Sequence, residues 1–508
     1  VMQQALDQFA ASPGGFYAYE LLQFESAGEY GTEDGDRAEL YRFDFALLLE
    51  RPEEDFWVGG IYMDDQKRVR GCAVTGNVVA RYRNGTLLGL VFMGSDNSYV
   101  PAFEEDWDWA EQMLAALDAR IAPKRLSVKD ATLLFGQDTV SISRLEEFAG
   151  CPYRHFVDYG LKPIERREYA FEADERGTFF HEALREYATL ASAMPQWPNV
   201  DDAVIDHMMD QILSPLTQAW ENGPLTDDAM GRQLGRGYLR TIRRAAKMFT
   251  EHSRNSRFTT WGAEVAFGQE GGLPPLVLTL PDGRKIALRG VIDRIDRFEG
   301  DHGVYLRVVD YKSSRHALTP VRMWYGLQLQ LLLYLKAASQ GVPGSTPAGA
   351  FYFTVRDPQV DTPEDLKAAA EQAIARELRL KGVVLADSEV VDAMDHDQPG
   401  FSIEKVFNQD GTPAARASAV NLEQMHDLLA HAEKTASRLA QEIRSGVLDV
   451  SPAEVDGASE CVYCAYAAIC RRDPHLPGGE SRQLPQMEKQ EFLECLANEE
   501  STDLSHPD

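Results

Sequence analysis

GVIDRIDRFEGDHGVYLRVVDYKSS, residues 290–314, decides how this chain folds. Two strand-like runs flank Glu299, Gly300, Asp301, His302 and Gly303, the composition of a reversing turn, so the stretch reads as a β-hairpin. A register centred on that turn places Asp293 opposite or diagonal to Asp310, about 5–8 Å away. Period-two alternation sends Val309 and Tyr311 to one side and Asp310 and Lys312 to the other. Val291 and Ile292 lead into Asp293, and Leu306, Val308 and Val309 lead into Asp310, so both apolar strands end in charge. A carboxylate ending a buried strand is costly unless a ligand or cation meets it. Two carboxylates beside an ammonium suit a hard cation such as Mg²⁺ that also binds phosphate. The lysine would position the attacking water and offset charge on the scissile phosphate. The alternative is an exposed hairpin with an ordinary Asp–Lys pair.

Three further groups are candidates for the same site. VRMWYGLQLQLLLYLKAAS, residues 321–339, reads as one helix, apolar nearly all round and buried against the sheet. On it Gly326, Gln330 and Tyr334 recur at four-residue intervals, while Gln328 points away. Gln330 and Tyr334 need polar company, which the carboxylates would supply. His181, between the apolar Phe180 and Leu184 in GTFFHEAL, reads alone as a core histidine and becomes a metal or phosphate contact only together with the hairpin. Glu264, in WGAEVAFG, is a weaker candidate, with a surface position on a half-buried strand the simpler assignment.

Strand-like runs at 261–268, 276–280, 285–298, 304–314 and 348–355, interleaved with helical segments, imply an α/β fold: a mixed central sheet flanked by helices. Before them, SRLEEFAGCPYRHFVDYGL (143–161) suggests a serine-capped helix with Glu146 and Glu147 in its early turns, ended by Cys151. Charged helical patterns occupy 363–380 and 421–446. Residues 1–130 read as a separate N-terminal α/β region, with strands near 43–50, 57–63, 72–82 and 86–94 and a helix at 107–121. Residues 476–508 have the composition of a mobile acidic tail around at most one short helix.

Cys461, Cys464 and Cys470 form C-x2-C-x5-C, a spacing that lets three thiolates converge on one centre. Cys151 is the best fourth ligand, and the set would staple the two ends of the domain with either a [4Fe-4S] cluster or Zn²⁺; spacing alone leaves both open. With six cysteines in 508 residues a disulfide scaffold is excluded.

The net charge of −29 argues against a chain coated in nucleic acid, so any DNA path must be local. Arg232, Arg236, Arg240, Arg243, Arg244 and Lys247 recur at helical spacing and are either such a path or a solvated helix face. No apolar run reaches the roughly 20 residues needed to span a bilayer, and VMQQALDQFA lacks the features of a secretory signal, so cytoplasm is the expected compartment. No GxxxxGK[ST] loop occurs, so the chain carries no evident ATPase motor.

Taken in order, SRLEEFAGCPYRHFVDYGL, GTFFHEAL, GVIDRID, VVDYKSS, YGLQLQLLLY, PAGAFYF and CVYCAYAAIC resemble the AddB family of helicase–nuclease subunits, which carry a RecB-type PD-(D/E)xK nuclease domain. The resemblance covers residues 139–475. It implies that Asp293, Asp310 and His181 hold a divalent cation, that Lys312 is the catalytic lysine, and that Gln330 and Tyr334 form the family's QxxxY motif. It also implies a [4Fe-4S] cluster on Cys151, Cys461, Cys464 and Cys470. The implied activity is DNA exonuclease work in double-strand break processing and recombinational repair, beside a motor-bearing AddA-like partner. Family members are much longer, with a helicase-like N-terminal half, so this chain reads as a fragment or a truncated relative. The competing expectations are a stand-alone Cas4-like iron–sulfur exonuclease, a non-catalytic DNA-end-binding scaffold, and a zinc-stapled structural module.

Overall fold

The computed structural model describes residues 16–31, 37–49, 60–63, 69–83 and 86–93, and 125–499 apart from 165–170, 172, 221–222, 315, 359–366, 409, 413, 415–417 and 475–478. It forms two compact units, Val1–Arg120 and Ile121–Asp508.

In the first unit the described residues form one five-stranded sheet: β1 (Phe16–Gly31), β2 (Arg37–Leu49), β3 (Gly60–Met63), β4 (Val69–Arg83) and β5 (Thr86–Met93), all antiparallel. Four match expected runs; β1 was not anticipated, because FYAYELLQFESAGEYG breaks its alternation at three bulges. The helix expected at 107–121 lies outside the described residues.

The second unit opens with α1 (Val128–Phe135), β6 (Thr139–Ser141), α2 (Ile142–Gly150) and α3 (Pro152–His155), then α4 (Ala173–Ser192), α5 (Asp202–Gln218) and α6 (Ala229–Arg254). The N-cap of α2 falls two residues before the expected serine: Ser143 lies inside the helix and Ser141 stands at the N-cap, without a capping hydrogen bond from its side chain. Strands β7 (Thr259–Phe267), β8 (Leu276–Thr279), β9 (Lys285–Gly300) and β10 (Gly303–Lys312) follow. After α7 (Pro320–Trp324) and α8 (Gln330–Gly341) come β11 (Ser345–Thr354), α9 (Lys367–Glu377), β12 (Lys381–Leu385), α10 (Ser388–Met394), β13 (Ala419–Val420) and α11 (Leu422–Arg444). The chain closes with β14 (Ala453–Val455), β15 (Ala458–Ser459), α12 (Ala467–Cys470), β16 (Arg482–Gln483) and α13 (Lys489–Ala497).

The large sheet runs β13-β12-β11-β10-β9-β6, with β7 and β8 also pairing β9. It is mixed: β10–β11 is parallel, β9–β10 and β11–β12 antiparallel. Parallel pairing of β10 and β11 demands a crossover, which α7 and α8 provide. Helices cover both faces, which is why every residue from Pro347 to Thr354 on β11 is buried.

The turn between β9 and β10 is tighter than expected, Asp301 and His302 alone, and the register runs from Gly303 opposite Gly300 to Val309 opposite Arg294. One step further puts Asp310 opposite Asp293. The single helix expected over 321–339 is instead two. At the join Gly326 has φ +81°, packed so closely against Leu439 and Thr435 that a Cβ would lie 2.9 and 3.0 Å from their methyl carbons. Gly326 therefore shares no helix face with Gln330 and Tyr334. The amide of Gln328 ties the break by accepting from the Thr319 N–H at 3.0 Å and donating to the Ala317 carbonyl at 2.9 Å.

The C-terminal stretch is also more structured than its composition implied. β16 pairs with β14, and α13 packs on α11 with Phe492 and Leu496 buried. Those two residues sit four apart, enough for an apolar stripe that bulk composition hides. Residues 500–508 lie outside the described part.

Candidate active site

β9 and β10 stop pairing at Val309 and Arg294, and the site lies where they part. The Tyr311 N–H, the next free donor along β10, gives its proton to Asp293 Oδ2 at 2.6 Å. Asp293 is 7% exposed and Asp310 1%. Lys312 Nζ forms an ion pair with Asp310 Oδ2 at 2.5 Å and donates to Gln330 Oε1 at 3.1 Å. Gln330 Nε2 in turn donates to the Tyr334 hydroxyl at 3.0 Å. Amide and carboxylate thus grip the lysine from two sides, which limits where the ammonium can go. The hairpin acids, the lysine, Gln330 and Tyr334 are all brought together.

His181 arrives from α4, which packs on β7 and β10, and its Nδ1 lies 3.2 Å from Asp293 Oδ2. Glu264, the weakest of the sequence candidates, joins them: ligand atoms of His181, Glu264 and Asp293 all lie within 4.8 Å of one another. Glu264 has φ +50°, a left-handed conformation unfavourable for a residue that carries a Cβ, and falls between the pairs Ala263↔Arg294 and Val265↔Ile292, beside Asp293. Such strain persists only where surrounding structure imposes it, and it concentrates at functional sites. Sequence alternation on β7 could not show this, because it assumes regular strand geometry. Asp310 stands just outside the tight triad, held by Lys312.

Charge makes the same point. Burial, with the Asp293 charge beside it, pushes the Asp310 carboxyl up to about 6 despite Lys312. Burial and Asp293 also raise Glu264. Burial opposes charge on His181, but its hydrogen bond to Asp293 and the fields of Asp293 and Asp310 prevail and raise it. Asp310 Oδ2 accepts no well-formed hydrogen bond although fully buried. Crowded carboxylates, only one of them paired with a lysine, and a neighbouring imidazole fit a divalent cation, which would relieve these costs.

One residue serves a different helix from the one expected. Glu146 reaches across from α2 and accepts from the N–H groups of Leu329 and Gln330 at 2.6 and 2.8 Å. It caps the N-terminus of α8 and so aims Gln330 at Lys312. Burial raises the Glu146 carboxyl to about 7, with those two backbone donors pulling the other way. Behind the site, Arg294, Asp296 and Arg307 form a buried network (Arg307 Nε to Asp296 Oδ2 2.9 Å), with Arg294 over Phe249 and Arg307 over Phe258.

Cys151, Cys461, Cys464 and Cys470 line one cavity of about 80 Å³. Backbone N–H groups of Arg154, Tyr153 and Ser451 face the Cys151 sulfur, and Arg472 Nη1 donates to Cys461 Sγ at 3.6 Å. Burial raises Cys151 and Cys470, each also raised by the Cys461 sulfur nearby. Four sulfurs supplied with N–H donors and set within one another's fields fit a metal or iron–sulfur centre. Cys495, on α13, is not among the lining residues. Most of the basic stripe on α6 is ion-paired: Arg240 and Arg244 pair with Asp357, Arg243 with Asp210, and Lys247 with Asp202 and Asp206, while Arg232 donates to the Thr226 and Asp227 carbonyls and Arg236 to the Gln233 amide oxygen. Among the described residues no helix is long and apolar enough to cross a membrane.

Two buried carboxylates and a lysine at the end of a mixed sheet are the arrangement of a PD-(D/E)XK nuclease, and the PD-(D/E)XK nuclease superfamily profile matches residues 139–471. The chain belongs to that superfamily. It is similar to proteins named as the B subunit of an ATP-dependent helicase/deoxyribonuclease: 36% identical to that of Moorella thermoacetica over 355 residues (68% of this chain, 31% of the relative). The counterparts from Caldanaerobacter subterraneus subsp. tengcongensis and Alkaliphilus oremlandii are 33% identical over 386 residues (74% and 33%) and 32% identical over 367 residues (71% and 32%). The chain spans about a third of the length of these relatives.

Proposed function

We propose that this chain is the nuclease part of an AddB-like subunit, cutting DNA phosphodiester bonds with Mg²⁺ as an exonuclease in double-strand break processing and recombinational repair. The observation that carries the reading is that β9 and β10 part just before Asp293 and Asp310, with Asp293 accepting from the Tyr311 N–H and Lys312 between Asp310 and Gln330. Asp293, Asp310, His181 and Glu264 would hold the cation, which when bound polarises the phosphate and lowers the pKa of a coordinated water. Lys312, fixed at its ammonium by two partners, orients the water and offsets charge on the scissile phosphate. Tyr334 and Glu146 act through Gln330, keeping its amide turned to the lysine. A [4Fe-4S] cluster on Cys151, Cys461, Cys464 and Cys470 staples the end of α2 to the C-terminal segment, with Zn²⁺ the alternative occupant. The partner is a motor-bearing AddA-like subunit, a reading supported by the relatives' name as the B subunit of an ATP-dependent helicase/deoxyribonuclease. The compartment is the cytoplasm.

Anaerobic purification, iron and sulfide analysis, and digestion of linear single- and double-stranded DNA with and without Mg²⁺ test this. The reading requires metal-dependent cleavage that disappears in Asp310→Ala and Lys312→Ala proteins. Equal digestion by both variants refutes it. DNA-end binding without cleavage by the parent would favour a scaffold, and full activity without a co-purifying ATPase a Cas4-like stand-alone enzyme. Zinc without sulfide would rule out the cluster.

A further inference from the structure

A cavity of about 290 Å³ lies against β11 and β12, away from the carboxylates, and it is lined by Arg376, Arg379 and Lys381. None of these three cations has a hydrogen bond or ion pair among the described residues, whereas on the α6 stripe Arg240, Arg243, Arg244 and Lys247 all have carboxylate partners. Arg379 Nε is buried without a partner. The acids nearby do not meet this need. Asp395 and Glu404 act on Arg379 through their charge alone: Asp395 is occupied by the N–H groups of Gly400, Phe401 and Ser402 and by Asn255, and Glu404, on the cavity wall, is exposed and forms no ion pair with the three cations. In a chain with 80 acids and 51 bases, three cations against one carboxylate around one cavity are a local positive field, and the three form no ion pair among the described residues.

Strand register ties this cavity to the nuclease site. Asp310 pairs with Tyr352 across β10–β11, and Tyr352 with Lys381 across β11–β12, so the three form one cross-strand row. Two strand spacings put Lys381 about 10 Å from Asp310, backbone to backbone. The Tyr352 ring lies between, 5.8 Å from Lys312 Nζ and 5.5 Å from the His316 ring. Ala317 and Leu318, from the segment that leaves Lys312, form part of the cavity wall, whose floor is the buried Phe351 and Val384, on the opposite face of the sheet from that row.

We propose that this cavity is a phosphate subsite for the DNA strand being cut: Arg376, Arg379 and Lys381 hold a backbone phosphate flanking the scissile one. The inference rests on the nuclease reading, since it names what else the same strand touches. Guanidinium forks match phosphate oxygens in pairs, and an ammonium beside them adds a point charge. Holding a flanking phosphate would fix the strand along the row from Lys381 to Asp310 and thereby which bond meets the carboxylates.

The test measures binding of a fluorescent single-stranded oligonucleotide in EDTA, where no cleavage occurs, across a series of salt concentrations. The R376Q/R379Q/K381Q protein should bind roughly tenfold or more weakly, and its slope of log affinity against log salt should fall by about 0.7 for each phosphate no longer neutralised. R240Q/R243Q, on the ion-paired part of the α6 stripe, should match the parent. Lys381→Glu alone gives the same direction of change should the triple variant fold poorly, as judged by circular dichroism. A neutral methylphosphonate placed next to the scissile position should weaken binding to the parent and not to the triple variant. Unchanged affinity and slope in the triple variant, or equal loss in R240Q/R243Q, overturns the subsite. A parent that binds through this cavity but never cleaves sinks the nuclease reading and leaves the subsite standing.

Discussion

Replacing Asp310 with Asn should abolish cleavage and at the same time stabilise the metal-free protein. Asp310 is 1% exposed, and its carboxyl is pushed up to about 6 from an ordinary value of 3.8. At about 1.4 kcal/mol per pKa unit, holding it ionised above pH 6 costs the folded state roughly 3 kcal/mol. The sign follows from linkage. Between about pH 4 and 6 the unfolded chain is ionised while the folded one keeps its proton, so the cost grows as pH rises through that window and levels off above it. Asn keeps the shape without the charge. Urea unfolding of parent and Asp310→Asn at pH 8 without divalent cations should therefore favour the variant by up to about 3 kcal/mol, with the gain gone below about pH 4. Mg²⁺ should reverse the order, stabilising the parent by about 2.7 kcal/mol at a hundredfold excess over its Kd and leaving the variant unmoved. A variant less stable than the parent at pH 8 without metal would refute the claim that a crowded, desolvated charge, only partly offset by Lys312, is stored at this position.

Glu264→Gly should stabilise the metal-free protein by about 1 kcal/mol by relieving a positive φ, yet weaken divalent binding in calorimetry; unchanged metal affinity would remove Glu264 from the site. Lys312→Met should eliminate cleavage while leaving a calorimetric Mg²⁺ isotherm in place, because the lysine does not ligate the metal. Glu146→Ala should lower stability by about 1–2 kcal/mol through two uncapped N–H groups at α8, and lower kcat more than it raises KM as Gln330 loses its aim. Cys461→Ser should release the bound cofactor and make residues beyond Ser451 susceptible to limited proteolysis, whereas Cys495→Ser should do neither.

Much of this protein is legible in residues 290–314 alone. A register fixed by one turn and the two-residue period of a strand set Asp293 against Asp310 and put Lys312 on the same side as Asp310, since both are local rules that tertiary context only has to leave undisturbed. Cys461, Cys464 and Cys470 are likewise gathered by their spacing, and the apolar run around Leu331 to Leu335 foretold a helix buried on the sheet. What the sequence left open concerns groups whose placement depends on contacts between distant elements. Glu264 enters the site because β7 bends at a left-handed residue, Glu146 serves a helix more than 180 residues away, and Gly326 breaks an apparently continuous helix because α11 packs too close for a side chain. On the α6 stripe Asp202, Asp206, Asp210 and Asp357 pair with four of the six bases, and Arg376, Arg379 and Lys381 stand out only once folding gathers them around one cavity with no ion pair among the described residues. Spacing along a chain determines which side chains share a face; only packing decides which face meets which, and whether a charge finds its counterion.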